Sequence, residues 1–506
     1  MELPEPYLNV NILLKIMHLA DANTICAFMQ TRKEFYKMGV EYLLQDGVSL
    51  TTDAHIESFD AFILTDPSSR LSLLRHLTLA RSPKNSTNSI WSGLLINKLF
   101  SNLAAHGRLL TLTVRYSEDL LCSWEELPHT VARLSTLEHL KITSVGPQGF
   151  LMLENLSSCL LSAHISVNEE LWDEEESFPA LALSSSSRNS MQRMSLSGFS
   201  GCWPPKVPFP NVTSLTLRRG RIPRMLELVR CFPSLRELRM LFVDILPGES
   251  LAEERVINQE QQRRFGTLTS LRRFSGSSRA LFVLAIQSHI PSLMLHDEHP
   301  IFQLPKLNVA LQHARPLHLE LSMSTGASLI NLHYLSLFVA PGMGDHLLSL
   351  CLTLYIRPFE KNLDTKKAWD FIDRIAASLT QLESLDITFA LCFSVATTRP
   401  NLRFVEKLTE GWNLDSMAQH LCYNRYPRPP KSVTLSLLNH RTRGNQKAQV
   451  GPVRTPEIPY GRDVRDLLFH EDDEPCTFKV PPCIAEAMSK VQERRELAHL
   501  WSIIRP

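Results

Sequence analysis

The sequence predicts an α/β chain in which a small N-terminal helical bundle precedes a long coil of stacked strand-and-helix units. Three observations predict it. Apolar residues at the N-terminus recur every three to four positions, a short leucine-based phrase repeats along most of the chain, and helix-like stretches separate its copies. The 506 residues carry 53 Lys+Arg against 52 Asp+Glu, a net charge of +1. Hydrophobic residues are 44% and charged residues 21%, an ordinary globular balance that supports a sizeable core. Near-neutrality excludes nucleic-acid binding by bulk charge and a dominant acidic tail.

The bundle comes first. Leu8, Ile12, Leu13, Ile16, Met17 and Leu19 place one apolar face on a first helix. Asp21 or Asn23 caps a second helix, whose face is Ile25, Phe28 and Met29. A third runs through Phe35, Tyr36, Val40, Leu43 and Leu44 and stops near Gly47. Three short helices cannot bury all of these among themselves, so another protein or the rest of the chain must cover some of them.

The repeated phrase comes next. An apolar residue, two others, an apolar residue, one other and an apolar residue recur at Leu74/Leu77/Leu79, Leu109/Leu112/Val114, Leu137/Leu140/Ile142 and Met191/Met194/Leu196. Further copies are Val212/Leu215/Leu217, Leu235/Leu238/Met240, Leu332/Leu335/Leu337 and Leu382/Leu385/Ile387, with weaker ones around Leu293, Leu319, Leu350 and Val433. The copies that start at Met191, Val212 and Leu235 lie 21 and 23 residues apart, inside the range of leucine-rich repeats. The last positions alternate as in a short strand. Pro223–Phe232 and Trp369–Leu379 read as return helices. Such units bury their apolar faces only against neighbours, so they stack into a solenoid, a curved parallel sheet with helices on the convex side. Outward strand residues then form a binding face, for which Thr78, Arg115, Lys141, Thr216 and Arg239 are the candidates.

The copies are degenerate. Where the usual phrase has an Asn or Cys that satisfies loop backbone, this chain has Ser82, Val145, Gly220, Val243, Ala340 and Ala390. Its turns must be satisfied otherwise. Residues 168–190, with Asp173–Glu176 and Ser184–Ser187, read as a loop; 247–264 reads as an exposed polar helix; 439–463 is too polar for a packed core. The expected organisation is a helical domain at 1–50, a solenoid at 51–438, and a partly disordered loop with a C-terminal helix at 439–506.

No catalytic constellation rises above background. There is no phosphate-cradling Gly-x4-Gly-Lys-Ser/Thr sequence, and Gly342-Met343-Gly344 lacks the third glycine of the dinucleotide fingerprint. His296–His299 reads as a solvated loop between Pro291 and Pro300, and Cys476 and Cys483 lack zinc spacing. The arginines Arg218, Arg219, Arg221 and Arg224 read as a solvated strand end. No metal, cofactor or enzymatic activity is expected. The apolar run Leu347–Ile356 falls short of a membrane span, and no secretory leader is visible. Ten scattered cysteines without a Cys-x2-Cys pair fit reduced thiols in cytoplasm or nucleus.

The N-terminal residues resemble an F-box, especially the fungal version. The matching text runs from Leu8 to Leu19, then Asp21, Ile25, Phe28 and Thr31–Tyr36, and ends on Glu41–Leu50, an exit into a strand. Asn9 stands where the commoner motif has Pro, and Phe35 where it has Trp. The resemblance implies docking to a Skp-type adaptor and, through it, a cullin scaffold, with Leu8, Ile12, Leu13, Ile16, Ile25 and Phe28 facing the adaptor. It implies a substrate-recognition subunit of a Skp–cullin–F-box ubiquitin ligase whose repeats bind an unidentified protein substrate, with no nucleic-acid or membrane partner. The alternative is an F-box-like repeat scaffold acting outside any ubiquitin ligase.

Overall fold

The computed structural model describes residues 9–80, 89–168, 183–199, 203–205, 207–244, 250–296, 304–324, 345–356, 365–391, 412–423, 428–440 and 444–451. The chain divides into two units, Met1–Val207 with Asp463–Pro506, and Pro208–Arg462. That division falls inside the stretch read as one solenoid.

The first unit opens with α1 (Val10–Leu19), α2 (Ala22–Met29) and α3 (Lys33–Gln45). The Asn9 side chain caps α1 through the Asn11 N–H, and Asp21 caps α2 through the Thr24 N–H, 2.8 Å away. Gly47, at φ +100°, turns the chain out of α3. Met17, Ile25, Cys26, Phe35 and Leu43 fill the bundle core. The chain continues through β1 (Val48–Leu50), α4 (Asp53–Leu64), α5 (Pro67–Leu73), β2 (His76–Leu79), α6 (Ser89–His106), β3 (Thr111–Val114), α7 (Ser117–Leu121) and α8 (Leu127–Ala132). Then come β4 (His139–Val145), α9 (Pro147–Glu154), β5 (Ser162–Val167), α10 (Ser185–Ser190) and β6 (Arg193–Ser197). Strands β1 to β6 pair in chain order and all parallel.

The second unit repeats the scheme with β7 (Ser214–Arg221), α11 (Met225–Cys231), β8 (Glu237–Asp244), α12 (Leu251–Phe265), β9 (Arg273–Gly276), α13 (Ser278–Leu284), β10 (Ser292–His296) and α14 (Leu304–Ala314). It continues through β11 (His318–Ser324), β12 (Ser349–Ile356), α15 (Thr365–Ser378), β13 (Ser384–Leu391), α16 (Leu414–Tyr423), β14 (Ser432–His440) and β15 (Gly444–Val450). Strands β7 to β14 pair parallel in chain order, and β15 runs antiparallel to β14. In both units the leucine positions of the phrase are buried, Leu77, Leu112, Leu140, Leu215, Leu238 and Leu385 among them.

Several expectations need correction. Residues 444–450 of the supposed loop form β15, with Ala448 in the core and polar Lys447 and Gln449 exposed. The serine run forms α10, capped by Ser184, with the buried Ser187 hydroxyl donating to the Ser158 carbonyl at 2.6 Å. His296 ends a strand rather than lying in a loop. The copy at Leu332, the acidic run Asp173–Glu176, and Cys476 and Cys483 lie outside the described residues.

The missing asparagines have a replacement. The seventh residue after each phrase begins is left-handed in five copies: Tyr116, Ser144, Gly198, Arg219 and Phe242, with φ between 49° and 63°. Four of these are not glycine, and each such residue costs about 1 kcal/mol. The residue after it then turns inward, so Ser117, Val145, Phe199 and Val243 are buried where the usual phrase leaves a loop.

Candidate protein-interaction surfaces

The first surface is on α1. Residues 12, 16 and 19 lie on one helical stripe, and the structure leaves it bare: Ile12 is 48%, Ile16 44% and Leu19 85% exposed. The opposite side of the helix turns Met17 into the bundle core, with Leu13 and Leu14 packed half-buried against it. The six adaptor candidates therefore separate. Ile12 and Ile16 are free, Leu13 and Phe28 are partly committed, and Ile25 is wholly internal. Phe28 meets Phe35 edge-on at 5.9 Å. Ile25 belongs to the core because the short α2 must supply a side chain facing both α1 and α3. Leu8 lies outside the described residues. Leu19 is the addition that the structure makes, and its spacing from Ile12 and Ile16 was visible in the sequence.

One buried cation ties the bundle to the helices after β1. Arg70 on α5 is 6% exposed; its guanidinium donates to the Phe62 carbonyl and, at 2.9 Å, to the Tyr36 hydroxyl of α3. Its planar face also covers the Phe62 ring at 4.1 Å.

The second surface is the outward side of the strands, where successive registers line up rows. In the first unit Thr78, Thr113, Lys141, His164 and Ser195 share a row, which sets Thr78 and Lys141 two strands apart on one line. Arg115 falls just beyond β3. Histidines that belong to no sequence motif punctuate this face: His139 Nδ1 lies 2.8 Å from Ser162 Oγ, and His164 Nδ1 lies 2.9 Å from Ser195 Oγ.

In the second unit Thr216, Arg239, Ser275, Met294, Glu320, Cys351, Asp386 and Thr434 share a row. Arg239 is not a free ligand-binding cation. Its guanidinium donates to Glu237 at 3.1 Å, as Arg273 does at 3.2 Å, while the Ser214 hydroxyl donates to the same carboxylate at 3.0 Å. Burial would raise the Glu237 carboxyl, but Arg239, Ser214 and Arg273 outweigh it and hold it below the ordinary carboxylate range.

The far end of the row is acidic. Burial, with the nearby charge of Asp386, raises the Glu320 carboxyl. Burial raises Asp386 too, against the opposing effects of the Thr434 hydroxyl and Lys447. Cys351, between them, is pushed far up by burial and both carboxylates, so its thiol stays protonated. A carboxyl whose folded pKa exceeds its unfolded value favours folding at low pH and loses that contribution as pH rises through the folded value. Glu320→Gln is therefore expected to raise the melting temperature at about pH 7 and leave it nearly unchanged at about pH 4. Equal effects at the two pH values in a calorimetric scan would count against the row.

Among the described residues no group of three or more His, Cys, Asp or Glu side chains is arranged to hold a metal, and no helix is long and apolar enough to cross a membrane. Among the described residues Cys26, Cys122, Cys159, Cys231, Cys351 and Cys422 form no disulfide.

No protein-family model matches the chain, and no curated protein is significantly similar to it. Among solved structures, an internalin from Listeria monocytogenes is similar at 14% identity over 73% of this chain and 92% of its own, with a TM-score of 0.26. A crystal structure of the TLR13–ssRNA13 complex is similar at 13% identity over 74% of this chain and 62% of its own, with a TM-score of 0.27. Likeness at this level assigns no function.

Proposed function

We propose that the chain is a non-catalytic protein-binding receptor, the substrate-recognition subunit of a Skp–cullin–F-box type ubiquitin ligase. The observation that carries the reading is the bare stripe of Ile12, Ile16 and Leu19 on a bundle whose core is already filled. A short helix that keeps three large aliphatic side chains in water has a partner to cover them. The F-box resemblance of the same residues supplies its identity: the Skp-type adaptor. The outward strand rows present the cargo surface, with Thr78 and Lys141 in one unit and Thr216 in the other. The chain then acts by proximity, raising the effective concentration of a bound substrate near the ubiquitin-carrying enzyme, and needs no catalytic side chain of its own.

Capture tests this. The intact chain is expected to co-purify with a Skp-type adaptor, and Ile12→Asp with Ile16→Asp is expected to abolish capture by placing unpaired carboxylates in the interface. Both residues are exposed, so the bundle core is untouched and the variant's circular dichroism should be unchanged. Absence of adaptor from the wild-type complex, with other partners retained, would replace this reading by that of an F-box-like scaffold outside ubiquitin ligases.

A further inference from the structure

The second unit carries an open surface groove of about 520 Å³ at the leading ends of β8, β9 and β10. Arg236, Arg272 and His289 line it together with the hydroxyl residues Thr269, Ser270 and Ser288. Arg236 immediately precedes β8 and Arg272 immediately precedes β9. The Arg272 and Arg273 N–H groups both donate to the Arg236 carbonyl, at 2.8 and 3.0 Å, which fixes the two residues on adjacent rungs. Neighbouring rungs are about 4.8 Å apart. Both side chains reach solvent, where like charges on adjacent rungs repel weakly and an anion bound between them relieves that repulsion.

Nothing in the described structure supplies that anion. Neither the Arg236 nor the Arg272 guanidinium has an ion-pair or hydrogen-bond partner among the described residues. The nearest carboxylate in sequence, Glu237, is consumed by Arg239 and Arg273. Three other arginines of this unit are engaged: Arg224 with Glu254, Arg264 with Glu260, and Arg255 with the Phe282 carbonyl. Two of the lining hydroxyls are anchored. Ser270 Oγ donates to the Leu235 carbonyl at 2.7 Å and Ser288 Oγ to the Leu268 carbonyl at 3.0 Å. Their oxygens remain as acceptors, while the two guanidinium forks, the His289 ring and the Thr269 hydroxyl offer donors.

We propose that this pocket binds a phosphomonoester. Two arginines on adjacent rungs of one groove match the charge and the divergent oxygens of one phosphoryl dianion. The volume exceeds a bare phosphate and leaves room for the group that carries it. The serine oxygens accept donors from that group, which an amino-acid backbone N–H provides. A nucleic-acid strand fits the pocket less well: it needs a basic track and stacking aromatics, and no aromatic ring other than His289 lines the groove. The inference stands apart from adaptor docking, because the pocket and α1 share no residue.

Isothermal titration of the full chain tests it, with inorganic phosphate and N-acetyl-O-phosphoserine methylamide as separate probes. One saturable site is expected, weakened at least tenfold in Arg236→Gln/Arg272→Gln and unchanged in Arg133→Gln, an exposed arginine outside the pocket. Tighter binding of the capped phosphoserine than of inorganic phosphate is expected and identifies a phosphorylated side chain as the source; tighter binding of inorganic phosphate would identify the free ion and overturn the phosphomonoester. Should the double variant unfold, Arg236→Lys/Arg272→Lys keeps the charge and loses the forks, and an intermediate loss of affinity is expected. The proposal is overturned if neither probe saturates, if the arginine variants bind as tightly as wild type, or if a single-stranded RNA displaces the capped phosphoserine at lower concentration.

Discussion

Replacing Glu118 by Ala is expected to destabilise the protein by roughly 3–5 kcal/mol. Glu118 lies in the first turn of α7 and is 7% exposed. Its carboxylate accepts from the backbone N–H groups of Gly146 at 2.9 Å, Gln148 at 2.9 Å and Gly149 at 3.0 Å. These are the orphan donors at the start of α9, whose own N-cap residue, Gly146, has no side chain to offer. Pro147 has no N–H, so a single carboxylate closes the whole first turn and places negative charge at the positive end of the helix dipole. The fit demands glycine, since a Cβ on Gly146 would lie 2.7 Å from Glu118 Cδ and one on Gly149 2.6 Å from Val145 Cγ1. Ala at 118 leaves two buried donors and one half-buried donor with no acceptor. Gln keeps the shape but turns an amide N–H2 toward backbone N–H groups, so it should recover only part of the loss. Equilibrium urea unfolding measures both. A second readout is local: Cys122 is raised to about 11 by burial first and then by Glu118 and Asp119, so Glu118→Ala should speed its alkylation at mildly alkaline pH. A stability loss below about 1 kcal/mol would mean that water replaces the carboxylate at the helix start.

Most strands were legible because leucine recurs at inward positions, and the strands that were missed show the limit of that signal. In β5 the phrase is Leu160, Ala163 and Ile165, and in β9 it is Leu271, Phe274 and Gly276. One small residue in the triplet breaks the pattern, although its position in the sheet is unchanged. Left-handed residues such as Ser144 and Phe242 gave no composition signal, because ordinary side chains hold a conformation that glycine usually takes. Of the site, the apolar periodicity of α1 was visible, but which flank faces water depends on how α2 and α3 close, and that put Ile25 inside. The paired arginines at the groove were invisible to local reading, since Arg236 and Arg272 come together only through strand register. The polar helix at 247–264 misled for a related reason. Its Glu254, Arg255, Asn258 and Gln262 are buried; Glu254 pairs with Arg224, and the other three spend their polarity on the backbone of α11 and α13 and the residues that follow α13.

That helix makes the sharpest demand on side-chain chemistry, and Asn258→Ala is expected to cost about 3–4 kcal/mol. Asn258 is 1% exposed. Its Oδ1 accepts from the Met225 N–H at 2.7 Å, at the start of α11, and its Nδ2 donates to the Val283 carbonyl at 2.9 Å, near the end of α13. One turn on, Gln262 Nε2 donates to the Leu284 and Ala285 carbonyls at 3.1 and 2.9 Å, while its Oε1 accepts from the Gln287 N–H at 3.1 Å. The Arg255 guanidinium donates to the Phe282 carbonyl and covers the Phe282 ring at 4.4 Å. The stripe 255, 258, 262 on α12 thus closes helix ends on both sides, as an asparagine ladder does for loops. Both functions of the amide are needed at once, which gives a discriminating variant. Asn258→Asp keeps the size and the Met225 contact but sets a carboxylate oxygen against the Val283 carbonyl, so near neutrality it should be at least as damaging as Ala. Burial and that carbonyl favour the protonated acid, which donates as the amide did, so the folded pKa of the new carboxyl exceeds its unfolded value. Stability should then recover as pH falls through that folded value and be lost as pH rises through it. Melting temperatures of Asn258→Asp and Asn258→Ala that track each other across about pH 4 to 8 would show that the residue fills space and caps nothing.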